Sequence, residues 1–229
     1  MSTKPRFLAK IVLKKGQNSR KHLQNFINHV IFLILVKLAF ISENKNLNGM
    51  NCIESLNELI ETLEDCDPED YVKLAKQMTI PKSDFEKYAH WKPDGYCRNC
   101  IERTDTYELV LICWNPGDET PIHCHSEQRC WVYQVEGKIH EVRYKADESG
   151  NLVSCNELDL SPGRLTYMED SMGYHTLKNN SDERSMTLHL YISPIDSCKV
   201  FSDTEESFTV KELKYDSFRG VLDEALVSS

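Results

Sequence analysis

From Tyr96 onward the chain reads as short β-branched and aliphatic runs cut by turn signals, and that succession leaves few folds open. The runs are Tyr107–Cys113, Cys130–Val135, Ile139–Tyr144, Leu152–Leu160, Leu165–Met168, His175–Lys178, Met186–Ile192 and Phe208–Leu213. Asn115-Pro116-Gly117-Asp118, Glu136-Gly137 and Asp147–Asn151 with Gly150 mark tight connections between them. Many short strands joined by turns predict a mainly β fold, a closed antiparallel β-barrel or jelly roll over residues 96–229.

Residues 50–95 read differently. Ile53, Leu56, Leu59, Ile60 and Leu63 form a helical stripe, with Ser55 and Glu58 at capping-box spacing. Asp67-Pro68 then signals an N-cap followed by Pro at the first helical position, opening a second helix that stops before Pro81. Short N-terminal helices therefore precede the barrel, and 50–229 reads as one domain. The net charge of −9 is uneven: residues 1–49 hold nine Lys/Arg against Glu43 alone, which leaves −17 for the remainder. An acidic domain argues against the basic face that nucleic acid needs, so no nucleic acid is expected.

Residues 1–49 read as an extension outside the fold. A basic, acid-free start has the composition of a mitochondrial targeting segment, and a start upstream of Met50 is the plainer account. Phe26–Ile41 is apolar, but Asn28, His29 and Lys37 interrupt it, so no stable membrane span is expected. Nine cysteines, odd in number and irregular in spacing, several within apolar runs, fit free thiols in a reducing compartment such as the cytoplasm. Cys97 and Cys100 have zinc-like spacing but no second pair, and read as packing. His22, His29, His90 and His140 have no partner identifiable from sequence.

The chemistry lies in His123-Cys124-His125. Side chains on a strand alternate, so both histidines take one face and Cys124 the other. Two neutral imidazoles placed there can share a cation, and His175 from a neighbouring strand would complete one face of an octahedron. Gly117, His123-x-His125, Cys130 and Gly137, then His175 and Asn179, have a spacing that resembles the two motifs of cupin barrels. Cys130 stands where the first motif usually has glutamate, and the Pro and Gly expected before the third histidine are missing. Three neutral imidazoles suit Fe, Cu, Ni or Zn and favour an anionic ligand such as a thiolate.

Five segments in order resemble the cysteine dioxygenase family: Tyr96-Cys97-Arg98-Asn99, Leu111-Ile112-Cys113-Trp114, Ile122–His125 with Cys130, Asp170–His175, and Thr187-Leu188-His189-Leu190-Tyr191. The resemblance implies a non-haem Fe(II) held by His123, His125 and His175. It implies Arg98, with Tyr96 beside it, holding the carboxylate of L-cysteine, and Tyr191, oriented by His189, near carboxylate and O2. It further implies a possible Cys130–Tyr191 thioether as a protein-derived cofactor. The activity implied is oxidation of L-cysteine by O2 to cysteine sulfinic acid by a monomer, in cysteine catabolism towards taurine and sulfate. The alternatives are a thiol dioxygenase for 3-mercaptopropionate or cysteamine, or a non-catalytic metal-binding cupin. Arg98 argues against cysteamine, which has no carboxylate. Taken singly, Arg98 would read as an ion pair, Cys130 as a packed thiol and Tyr191 as core. One departure stands out: the family commonly has Ser-Pro-Pro after the tyrosine, whereas this chain has Ile192-Ser193-Pro194. If the family has a cis proline there, this chain needs a trans bond or a costly cis one.

Overall fold

The computed structural model describes residues 52–222 except 127 and 203; the readings of residues 1–49, His22 and His29 lie outside the described residues. Helix α1 (Leu56–Asp65) starts at Ser55, whose Oγ accepts from the Glu58 N–H at 3.1 Å. The Glu58 carboxylate reaches back to accept from the Glu54 N–H at 2.9 Å, one residue beyond the capping-box partner. Leu56, Leu59 and Leu63 form the buried stripe. Ile53 does not belong to the helix; it makes a parallel bridge to Met78. Asp67 caps a short 3-10 turn, Pro68–Asp70, that leads into α2 (Tyr71–Gln77).

Twelve strands follow: β1 (Cys97–Arg103), β2 (Tyr107–Trp114), β3 (Arg129–Glu136), β4 (Ile139–Ala146), β5 (Leu152–Leu160), β6 (Leu165–Met168), β7 (Tyr174–Lys178), β8 (Ser185–Ile192), β9 (Ser197–Ser202), β10 (Ser207–Glu212), β11 (Ser217–Phe218) and β12 (Val221–Leu222). A seven-stranded sheet runs β12-β11-β1-β2-β8-β3-β6, a three-stranded sheet β5-β4-β7, and β9 and β10 form a separate ribbon. All these pairings are antiparallel except β1 with β11. The mainly β architecture with short N-terminal helices is the one expected. Strand β9 was not foreseen, because its two most apolar residues, Val200 and Phe201, are adjacent and show no period.

The period of two sorts the seven-stranded sheet into two functions. Tyr107, Leu109, Leu111 and Cys113 of β2 pack with Leu56, Leu59 and Leu63 of α1 in one core cluster. Val110, Ile112 and Trp114 turn the other way and pack with Ile139, Leu160 and Leu177 of the three-stranded sheet in a second. Every residue of β2 is consequently buried. The helices cover the outer face of the sheet, which frees the inner face, at about 1.5–3 kcal/mol per buried aliphatic chain, to carry polar groups among apolar ones.

Two local expectations change. His123 and His125 do not lie on a regular strand: His123 makes isolated bridges to His175 and Val200. Pro121 has no N–H to extend a ladder, and Ser126, at φ 51°, turns the chain away. Among the described residues no peptide bond is cis. Ser193 instead takes φ 63°, and its N–H reaches the Thr106 carbonyl at 2.8 Å, so the missing proline is met by a left-handed residue.

Candidate metal centre

His123 and His175 hold each other through reciprocal backbone hydrogen bonds, N–H to carbonyl, of 3.0 Å each way. The His125 N–H donates to Asp170 Oδ1 at 3.0 Å. These contacts set the three rings with centroids 4.5, 4.9 and 5.4 Å apart. Their ligand atoms all lie within 4.8 Å of one another.

Hydrogen bonding decides which nitrogens face inward. His123 Nδ1 lies 2.9 Å from the Pro121 carbonyl, which can only accept, so Nδ1 carries the proton. His175 Nδ1 lies 2.8 Å from Glu141 Oε1 and donates in the same way. Both therefore keep Nε2 unprotonated, the form that can bind a metal. His175 Nε2 stands 3.0 Å from His125 Nε2. Two bonds of about 2.1 Å meeting at roughly a right angle would put their nitrogens about 3.0 Å apart, so this pair has the spacing of two ligands on one ion, and three imidazole donors suit a divalent transition metal. Burial, and then the neighbouring His175, pushes His123 down to about 3 and His125 well below the usual imidazole range. Neutral imidazoles are the ligating form.

Behind His175 lies a buried acid. Glu141 Oε1 also accepts from Arg143 Nε at 3.2 Å, and Oε2 accepts from Arg143 Nη2 at 3.3 Å and Thr166 Oγ1 at 2.7 Å. Burial alone would raise this carboxyl; the hydrogen bonds from His175 and Thr166 and the charge of Arg143 outweigh it and hold it low. Arg143 is anchored in turn on Thr166 and the Tyr167 carbonyl.

Arg98, on β1, is 8% exposed, and its Nε and Nη2 have no hydrogen-bond partner. Glu108 Oε1 sits 3.8 Å from Nη2, beyond hydrogen-bond reach. Glu108 is itself occupied by the Ile195 N–H at 2.8 Å and the Tyr215 hydroxyl at 2.6 Å. A buried guanidinium with two free N–H donors has the chemistry to hold an anion.

A third group runs along β8 with period two. The Trp114 indole N–H donates to Thr187 Oγ1 at 2.9 Å, and Thr187 Oγ1 lies 2.9 Å from His189 Nε2. Indole can only donate, which leaves the Thr187 hydroxyl its own proton to give to His189 Nε2 in the tautomer that uses every donor. His189 Nδ1 then carries the proton, 3.5 Å from the Tyr191 hydroxyl and 4.0 Å from Cys130 Sγ. Burial lowers His189 and raises Cys130 and Tyr191, each by a wide margin, so imidazole, thiol and phenol are all neutral.

A small recess collects Tyr96, Arg98, His123, His125, His189 and Tyr191 on its wall. The structure thus brings the sequence-selected residues into one region, with Cys130 paired to Tyr191 across β3 and β8 and His175 touching His125. His90 and His140 do have partners: His90 Nε2 meets the Gly220 carbonyl at 3.0 Å, and His140 Nδ1 meets Asp159 at 2.8 Å. Sequence reasoning missed Glu108, Glu141 and Thr187. Each left a signal: a lone acid inside an apolar strand, an acid at an inward position of β4, and the first member of Thr187-x-His189-x-Tyr191.

Residues 45–204 match the family described as cysteine dioxygenase type I. The chain is 27% identical over 170 residues to cysteine dioxygenase type 1 of Danio rerio, covering 69% of this chain and 85% of that protein. It is 28% identical over 153 residues to cysteine dioxygenase type 1 of Homo sapiens, covering 65% and 69%. A solved structure from Klebsiella pneumoniae, an uncharacterized conserved protein with a double-stranded β-helix domain, aligns at TM-score 0.40 and 15% identity over 56% of this chain and 88% of that one.

Proposed function

The chain belongs to the cysteine dioxygenase type I family of the cupin superfamily, and from that premise we propose that it oxidises L-cysteine with O2 to cysteine sulfinic acid at a non-haem Fe(II). The observation that carries this reading is a three-histidine cluster, two of whose rings line the same recess as a buried guanidinium with two free N–H donors.

In this reading His123, His125 and His175 hold the iron. The metal, when bound, supplies the chemistry that activates O2 and keeps it within reach of the sulfur. Arg98 offers its free Nε and Nη2 to the substrate carboxylate, with Glu108 behind it fixing the guanidinium. Tyr96 packs its ring 4.9 Å from Trp114 and forms the adjoining wall. His189 keeps its Nδ1 proton turned to Tyr191, so the phenol faces the pocket as a neutral donor. Among the described residues no acid lines the recess beside the histidines to compete with a thiolate. Both atoms of O2 add to the substrate sulfur, taking thiol to sulfinic acid.

A buried guanidinium favours a carboxylate-bearing thiol over cysteamine. The same reading makes Cys130 and Tyr191 the partners of a thioether. It makes the enzyme a cytoplasmic monomer of cysteine catabolism towards taurine and sulfate, with 50–229 as its folding unit and 1–49 outside it. Among the described residues no helix is long and apolar enough to cross a membrane. The test is oxygen uptake by the iron-loaded chain with cysteine, 3-mercaptopropionate and cysteamine, with the product identified by mass. Cysteine should be consumed with one O2 per sulfinate formed. Bound iron with no uptake on any of the three thiols would leave a metal-binding cupin and end the enzyme reading.

A further inference from the structure

We infer that Glu141 is a positioning residue of the metal centre, supplying through His175 the negative charge that an all-histidine ligand set lacks. This rests on the three-histidine metal reading above. Among the described residues no carboxylate belongs to the histidine cluster, and Glu141 stands one hydrogen bond behind it, at 2.8 Å from His175 Nδ1.

The three histidines are not equivalent. His123 gives its Nδ1 proton to a neutral backbone carbonyl, whereas His175 gives its proton to a carboxylate. A carboxylate behind an imidazole fixes the tautomer and makes the opposite nitrogen a stronger donor. His175 is therefore the ligand that carries anionic character to the metal.

The burial of Glu141 supports this assignment. It is 0% exposed, and isolating a carboxylate there is costly unless it is paired. Arg143 meets both oxygens and Thr166 one, which keeps the group ionised and oriented. Apolar packing at this inward position of β4, like that of Ile139, would stabilise the barrel without such a network. Arg143 also offsets the charge that Glu141 delivers. Removing either partner should therefore move the metal's properties in opposite directions.

The experiment uses the full chain. Anaerobic Fe(II) affinity, by competition with a chromophoric chelator, and the midpoint potential of the bound iron are measured for wild type, Glu141→Gln and Arg143→Met. Circular dichroism first selects folded protein. Glu141→Gln should weaken Fe(II) binding by about 10–100-fold and raise the potential, because the oxidised ion loses its anionic support. Arg143→Met should lower the potential. A folded Glu141→Gln with wild-type affinity and potential overturns the inference. So does an Arg143→Met potential that stays constant or rises, which decides the matter if Glu141→Gln does not fold. A wild type that binds no iron removes the metal reading itself, and this inference with it; a wild type that binds iron indistinguishably from both variants removes this inference alone.

Discussion

Cys130 on β3 and Tyr191 on β8 are directly opposed residues of an antiparallel pair, both buried and both on the inner face of the seven-stranded sheet. Opposed residues bring their Cβ atoms about 4.5–5.5 Å apart, so thiol and phenol ring meet. Neither ionises near neutrality. Joining Sγ to the ring removes one hydrogen from each partner and sends two electrons to an oxidant, which O2 provides in the proposed reaction. Aerobic turnover with iron and cysteine should therefore produce a peptide pair linking Cys130 and Tyr191 with the loss of two hydrogens. Cys130→Ser should show no such species. Mass spectrometry of digested protein before and after turnover checks this, and unchanged peptides after prolonged turnover would refute the cross-link.

Arg98→Met removes the buried donors that face the recess. A charge-assisted hydrogen bond contributes roughly 1.5–3 kcal/mol, so KM for cysteine should rise by about 10–100-fold. Turnover of cysteamine, which has no carboxylate, should be unaffected or improved. Steady-state oxygen uptake with both thiols gives the comparison. Equal losses on the two substrates would mean that Arg98 supports the pocket rather than reading the carboxylate.

The sequence exposed the site more fully than it exposed what holds the site in place. His123 and His125 stood out by their strand spacing, and Arg98, His175, His189 and Tyr191 through the short segments that resemble the cysteine dioxygenase family. The setting of His123 was not: Pro121 and Ser126 turn a pattern that alternates like a strand into an extended loop bridged to β7 and β9. Glu108 and Glu141 were missed for a shared reason. Their roles depend on which distant chains turn towards them, Tyr215 and Ile195 in one case and His175 and Arg143 in the other. Sequence separation hides such pairs. The two-faced burial of β2 was hidden as well, because an apolar run does not say whether helices or a second sheet cover each side.

Gly173 lies two residues before His175 at φ 104°, and a Cβ there would collide with the Tyr144 carbonyl. Both the backbone conformation and the space require glycine. Gly173→Ala should cost about 1–3 kcal/mol of stability and displace β7 from β4, loosening His175. Thermal unfolding of the metal-free chain reads the first effect and Fe(II) titration the second. Gly117, where a Cβ meets nothing within 4 Å, provides the comparison: Gly117→Ala should carry the conformational cost alone and leave iron affinity unchanged.

The buried thiols set an alkaline limit. Burial, with Asp216 nearby, raises Cys97 from an ordinary 9.0 to about 11, and burial, with Glu108 nearby, raises Cys100 to about 12. For an acid whose folded-state pKa is raised, folded and unfolded chains hold the same proton at low pH. Above about 8.5 the unfolded chain releases protons that the folded chain keeps, so the unfolded state gains and stability falls as pH rises. The melting temperature should hold steady up to that point and decline towards pH 11, with a shallower decline in Cys97→Ala. The same burial protects these sulfurs from alkylation. At pH 8 iodoacetamide should modify Cys52 and Cys155, which are exposed, well before Cys97, Cys100, Cys113 or Cys130, which are buried. Timed alkylation read by mass spectrometry tests the order. Early labelling of Cys97 or Cys100 in folded protein would show that β1 opens more readily than its two covered faces allow.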